Sequence, residues 1–165
     1  MTTRSDKTTH GSGSGNDLEA RIQRLEDMEA IRQLKHEYAA AADAMMKSPS
    51  DATVSRVASL FSADASGDYG PLGTCEGHAG LHAFFHKLTD MANWSIHSLS
   101  NPVTKVEGDR ATGRWYVQVT VNMVGGETPG MQQTLGHYED EFVRTPEGWK
   151  IRRCQFRPDA PPAST

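Results

Sequence analysis

Asn93-Trp-Ser-Ile-His97-Ser-Leu-Ser-Asn101-Pro-Val-Thr-Lys-Val106-Glu-Gly108-Asp109-Arg-Ala-Thr-Gly-Arg-Trp115-Tyr-Val-Gln-Val-Thr-Val-Asn-Met123-Val124 is the stretch that decides the fold. On both sides of Gly108-Asp109 the side chains alternate with a period of two. That spacing predicts two strands, over Asn93–Val106 and Ala111–Val124, joined by a tight hairpin turn. The alternation resumes in Gln132–Arg144 and Trp149–Phe156, with Glu147-Gly148 as another tight turn and Gly125-Gly126 opening a longer one. Four strands in succession make an antiparallel meander.

Upstream the period is helical. From Asp17 to about Met46 the apolar anchors are Ile22, Leu25, Met28, Ile31, Leu34, Tyr38 and Met45. Asn16 or Asp17 is placed to cap this helix, and Ser48-Pro49 to stop it. A second helix is expected over Ala52–Phe61, capped by Asp51, with Val54, Val57, Leu60 and Phe61 inward. A short strand near Ala65–Tyr69 follows, then turns at Gly70-Pro71 and Gly73, then a third helix from about His78 to Met91. Three helices before a meander predict an α+β domain in which helices cover one face of a curved antiparallel sheet. Such a sheet forms a half-open cone, whose mouth suits a small molecule.

The length of 165 residues allows a single domain with a substantial core. The domain is expected over residues 17–157. Residues 1–16 read as a loose N-terminal tail, with a Ser-Gly linker at 12–15, and residues 158–165 as a flexible C-terminal tail. The formal charge is −4, and no basic stripe interleaves with aromatics, which argues against nucleic-acid binding. There is no apolar run of membrane-spanning length and no secretory h-region, so the expected compartment is the cytoplasm. Cys75 and Cys154 read as two semi-buried thiols.

The order of elements, together with several local motifs, resembles the SnoaL-like branch of the nuclear transport factor 2-like (NTF2-like) superfamily. The motifs are Ile31-Arg-Gln-Leu34 before Tyr38-x4-Asp43, Leu60-Phe-Ser-Ala-Asp64-Ala, and Glu76-Gly77 leading into Leu81-His-Ala-Phe-Phe85. Then come His97-x3-Asn101-Pro102, Val106-Glu-Gly-Asp-Arg-Ala-Thr-Gly113, and Tyr138-Glu-Asp-Glu-Phe-Val-Arg-Thr-Pro-Glu-Gly-Trp149-Lys-Ile. The resemblance implies a cone-shaped sheet packed on three N-terminal helices. Within the branch, the placing of Tyr38, Asp43 and His97 is similar to that of the catalytic Tyr, Asp and His of bile-acid 7α-dehydratase. An Asp–His pair is also a property of scytalone dehydratase and hexachlorocyclohexane dehydrochlorinase. The resemblance further implies a cationic residue on the last strand. Arg152, Arg153 and Arg157 are candidates, and Arg153 is the one assigned to the site.

Elimination of water beside a carbonyl needs a base for a carbon-bound proton, stabilisation of an enolate-like charge and a donor for the leaving hydroxyl. His97 suits the base, because imidazole titrates near neutral pH. Asp43 would hold the other ring nitrogen and fix the tautomer. Tyr38 would donate to a substrate or leaving-group oxygen. No metal or cofactor is required. In an extended strand Ser95, His97, Leu99 and Asn101 share a face, which adds Asn101 to the same wall. On an ideal helix Asp43 lies roughly 140° from Tyr38, so the two converge only if the pocket wraps the helix end or the helix bends. Phe61, Tyr69, Phe84, Trp115, Tyr138 and Phe142 are the further substrate-lining candidates, with Leu72, Met123, Trp149 and His137 beside them.

His78, His82 and His86 recur every four residues on the third helix, which resembles a metal site. They lack an H-E-x-x-H arrangement, and His82 and His86 fall off the apolar stripe, so they are read as surface histidines. The expected activity is a cofactor-independent dehydratase acting on a small, apolar, hydroxylated polycyclic ketone such as a hydroxysteroid or bile acid. The alternatives are a steroid or polyketide isomerase or cyclase using the same base, and a non-catalytic ligand-binding module. That module predicts Asp43 and His97 far apart or a cone filled by side chains. An open sheet face also predicts a homo-oligomer, either dimer or trimer.

Overall fold

The computed structural model describes residues 13–125 and 128–159. Of the tails expected over residues 1–16 and 158–165, residues 1–12 and 160–165 lie outside the described residues, as does Gly126 of the long turn, whereas residues 13–16 belong to the first helix and Pro158 ends the last strand. Within the described residues, helices α1 (Gly13–Lys47) and α2 (Asp51–Ala58) precede strand β1 (Phe61–Asp68). A 3-10 turn at Gly70–Leu72 leads to a short strand, β2 (Thr74–Glu76), and then helix α3 (Gly77–Met91). The meander is β3 (Ala92–Glu107), β4 (Arg110–Met123), β5 (Gly130–Thr145) and β6 (Gly148–Pro158). They form one six-stranded sheet in the order β2-β1-β6-β5-β4-β3. The α+β cone is therefore as expected, with two refinements. β2 is too short for its period to register, and β1 returns parallel to β6 where the other pairs are antiparallel.

Local chemistry sets the element ends. α1 begins at Gly13, four residues before Asp17, so neither Asn16 nor Asp17 caps it. α2 is capped by Ser50 rather than Asp51: the Ser50 hydroxyl accepts from the Thr53 amide, and the Thr53 hydroxyl accepts from the Ser50 amide. This helix stops at Ala58, so Phe61, expected at its end, opens β1 instead. The Asp109 hairpin places Gly108 at φ 61°, the left-handed conformation that a side chain disfavours.

The core lies between the concave face of the sheet and the C-terminal half of α1. Ile31, Leu34, Tyr38, Ala41, Ala42 and Met45 are buried there. Ile22 and Leu25, expected as anchors, are exposed because α1 projects past the sheet before Asp27. Register shifts between Ser100 and Val103 on β3 and between Glu141 and Phe142 on the β5–β6 pair mark bulges, which bend a sheet towards a cone. No described helix is long and apolar enough to cross a membrane.

Candidate active site

β3 is the edge of the sheet, so half of its amide groups have no neighbouring strand. α1 runs alongside that edge, and Asp43 supplies the acceptor. Its carboxylate accepts from the His97 amide at 3.0 Å, the Ser95 hydroxyl at 2.7 Å and the His97 ring Nδ1 at 2.6 Å. Burial acts against the charge, but the His97 ring, the His97 amide and the Ser95 hydroxyl outweigh it and hold Asp43 below its ordinary value. An ionised Asp43 accepts a hydrogen bond from Nδ1–H and so leaves Nε2 as the basic nitrogen of the imidazole. The wheel angle between Tyr38 and Asp43 is spanned by His97, which touches Asp43 and lines the cavity with Tyr38. Tyr38 points to the cavity floor, Asp43 points sideways to β3, and His97 carries the contact back to the cavity.

That cavity has a volume of about 250 Å³ and is walled by Tyr38, Tyr69, His97, Tyr138, Phe156 and a group of methionines that includes Met45, Met91 and Met123. Gln132 and Thr134 of β5 add polar groups to the wall. The Tyr38 hydroxyl donates to the Tyr69 hydroxyl at 3.3 Å. Burial pushes the phenols of Tyr38, Tyr69 and Tyr138 well above their ordinary value, so they remain protonated donors. The arrangement places a carboxylate-oriented imidazole and three phenols around one apolar space. It can move a proton and hold a developing negative oxygen.

Of the expected residues, Tyr38, His97, Tyr69 and Tyr138 line the cavity and Asp43 stands behind His97. Leu72 and Met123 also line it. Phe61, Phe84, Trp115 and Phe142 do not: they are buried one layer further out. Phe84 stacks on Tyr69 with centroids 4.6 Å apart, Phe61 meets Tyr38 edge-on at 5.8 Å, and Trp115 meets Phe142 edge-on at 5.8 Å. They support the cavity wall without touching its contents. Asn101 falls at the β3 bulge with φ 52° and is exposed, because the bulge breaks the alternation that would have turned it inward. Arg153 is exposed and pairs with Glu141, Arg152 bridges Glu141 and Asp64, and Arg157 pairs with Asp68, so no arginine of β6 reaches the cavity wall. The three helix histidines have separate partners: His78 meets the Phe61 carbonyl, His82 the Ser55 hydroxyl, and His86 the Asp51 carboxylate, although the His82 and His86 rings lie 4.9 Å apart.

Ser95, Gln132, Thr134 and the buried pair Lys35–Asp140 escaped the sequence reading. For the pair a signal existed. Lys35 lies between Leu34 and Tyr38 on the inward stripe of α1, and Asp140 alternates with Tyr138 and Phe142 on β5.

The family model described as a SnoaL-like domain matches residues 23–155. The chain belongs to the SnoaL-like domain family. An uncharacterized protein of Mycobacterium tuberculosis H37Rv is 29% identical over 136 residues, spanning 80% of this chain and 85% of the relative. A solved structure from Novosphingobium aromaticivorans, provisionally named an aromatic ring hydroxylase, is 29% identical and superposes with a TM-score of 0.73 over 83% of this SnoaL-like chain and 92% of that one. Two further structures share the fold. One, from N. aromaticivorans DSM 12444 and provisionally named a scytalone dehydratase, is 20% identical, with a TM-score of 0.73 over 85% of this chain and 89% of that one. The other, the hexachlorocyclohexane dehydrochlorinase LinA-type3 of Novosphingobium barchaimii LL02, is 22% identical, with a TM-score of 0.71 over 88% and 96%.

Proposed function

We propose that this SnoaL-like protein is a cofactor-independent lyase that eliminates water from a hydroxylated polycyclic ketone, with a hydroxysteroid or bile acid as the substrate class. The observation that carries the reading is the 2.6 Å contact of Asp43 with His97 Nδ1, made while the same imidazole lines an apolar cavity. His97 Nε2 takes a proton from the carbon beside the carbonyl, and the electron pair moves onto the carbonyl oxygen. The tyrosine hydroxyls hold that oxygen. As the enolate collapses, the carbon–oxygen bond to the leaving hydroxyl breaks, and the imidazolium returns its proton to form water. Asp43 stabilises the transient imidazolium throughout. The fold neighbours named for dehydration and dehydrochlorination perform or are assigned eliminations, which supports the same reaction class here.

The test is to incubate the protein with hydroxysteroids and polycyclic hydroxyketones and to weigh the products. Loss of one water supports the lyase. Unchanged mass with a new isomer favours isomerisation or cyclisation by the same base. Gain of an oxygen atom favours the hydroxylation for which the aromatic-ring relative is named. His97→Ala and Asp43→Ala should each lower turnover by about 10²–10⁴-fold with the circular dichroism spectrum unchanged. Full activity in either variant overturns the mechanism. A non-catalytic module is disfavoured by the same geometry, since the two side chains touch and the cone is open.

A further inference from the structure

Beneath the cavity floor lies a charge pair that the elimination chemistry does not use. Lys35 Nζ is 2.8 Å from Asp140 Oδ2, and both side chains are 0% exposed. Lys35 precedes Tyr38 by less than one turn of α1, and Asp140 shares the inward face of β5 with Tyr138. The Lys35 nitrogen has three close neighbours: the Asp140 carboxylate as an ion pair, the Cys154 sulfur at 3.7 Å, and the face of the Tyr138 ring, whose centroid is 3.5 Å away. The Tyr38 ring centroid is also only 4.5 Å from the nitrogen. Burial raises the Asp140 carboxyl and Lys35 opposes that shift, so the lysine is the cation that keeps this carboxylate tolerable in the core.

Stability is a poor reason for such a pair. Dehydrating two ions offsets most of their attraction, and apolar residues of the same volume hold a core as well or better. Of the two charges, the ammonium is the one set against the rings of two phenols that line the cavity, 3.5 and 4.5 Å from their centroids, while Asp140 opposes it, adding to burial in raising the Tyr138 phenol. A cation on the face of an aromatic ring withdraws electron density from it and strengthens the attached hydroxyl as a donor. Tyr138 and Tyr38 remain protonated through burial, so this polarisation acts on a donor O–H.

We propose that the buried Lys35–Asp140 pair is a positioning and polarising device for the cavity phenols, which makes the Tyr138 hydroxyl, and the Tyr38 hydroxyl once it turns from Tyr69 to a ligand, bind a ligand oxygen more tightly as an enolate- or phenolate-like anion than as a neutral group. The inference deepens the elimination reading, because an enolate oxygen is the anion that chemistry creates, but oxyanion preference is a property of the floor itself and is measured without turnover.

The experiment titrates 4-nitrophenol bound to the full-length protein, since visible absorbance separates its phenol and phenolate forms. The wild type should bind the phenolate in preference to the phenol. Lys35→Met/Asp140→Leu removes both charges and leaves no orphan ion. It should reduce the phenolate preference by about tenfold, the equivalent of one pKa unit in the bound probe. Tyr138→Phe keeps the ion pair and deletes one polarised hydroxyl, so it should lose preference in the same direction; if the double variant does not fold, Lys35→Gln/Asp140→Asn, which removes both charges with polar groups of similar size, should show the same roughly tenfold reduction. No phenolate preference in the wild type overturns the proposal. So does an unchanged preference in a folded variant, or an equal weakening of both probe forms, which is what a purely structural role gives. A failure of the dehydratase reading shows up separately, in product mass, and leaves the probe titration intact.

Discussion

Asp43 satisfies three donors with one carboxylate, and two of them come from the residue it orients. Its lowered pKa follows from those bonds, so removing one should be visible in the titration of the carboxyl itself. Ser95→Ala deletes the 2.7 Å hydroxyl donor and should raise the Asp43 value back towards the ordinary 3.8, as read from the NMR resonance of the Asp43 carboxyl carbon. Activity at neutral pH should fall by about tenfold or less. An Asp43 titration that stays in place argues that Ser95 has no part in holding Asp43. Asp43 and His97 were singled out in the sequence by their similarity to the Asp–His positions of the family, and strand alternation added only that His97 and Asn101 share a face. Their contact was not legible there, since it depends on α1 running along an edge strand whose free amide the carboxylate fills. Asn101 shows the converse: alternation points it inward, and a bulge turns it out.

At the scale of elements, Asp27 ties α1 to the far end of the meander. It accepts from Arg144 Nη2 of β5 at 2.6 Å and from Trp149 Nε1 of β6 at 3.2 Å, while Gln23 one turn earlier on α1 donates to the same carboxylate at 3.2 Å. The Arg144 bond, despite opposition from burial, holds Asp27 below its ordinary value. A carboxylate depressed in the folded state binds fewer protons there than in the unfolded chain. Its contribution is complete above the ordinary value of 3.8 and is lost as pH falls through the lower folded value. Asp27→Asn should therefore cost about 2 kcal/mol at pH 7, and the variant and wild type should converge on acidification, as read by urea denaturation at several pH values. A deficit that stays constant down to low pH would mean that the carboxylate charge is not what fastens the helix. The long strands were readable from their period to within a few residues. β2 was missed because three residues carry too little period, and the cap of α2 was misplaced by one residue because Ser50 and Asp51 are both good capping residues. Which of them caps depends on where Thr53 can return its hydroxyl to the backbone.

For the molecule as a whole, the consequence of the cone is an open space of about 250 Å³ inside a domain whose surrounding side chains are otherwise close-packed. A ligand that fits it stabilises the folded state by mass action, about 2.7 kcal/mol at a hundred times its dissociation constant, and raises the melting temperature. Ala42→Phe places a ring into the cavity from α1. It should abolish that ligand-dependent thermal shift while the unliganded protein still melts cooperatively, and a retained shift would place the ligand elsewhere. The outward face of the sheet carries exposed Ile96, Tyr116 and Leu135, where self-association remains a proposal checked by sedimentation. The sequence by itself determined the class of fold, because period, turns and element order are local properties written residue by residue. It also determined the chemical identities of the candidate acid–base groups. Only the tertiary structure decided which aromatics line the cavity and which stand behind it, and that no β6 arginine enters it. It also decided that Lys35 and Asp140 meet under the tyrosines. Those outcomes depend on sheet curvature, bulges and the angle at which α1 crosses the cone, and these are set by packing between segments more than a hundred residues apart, such as Lys35 and Cys154.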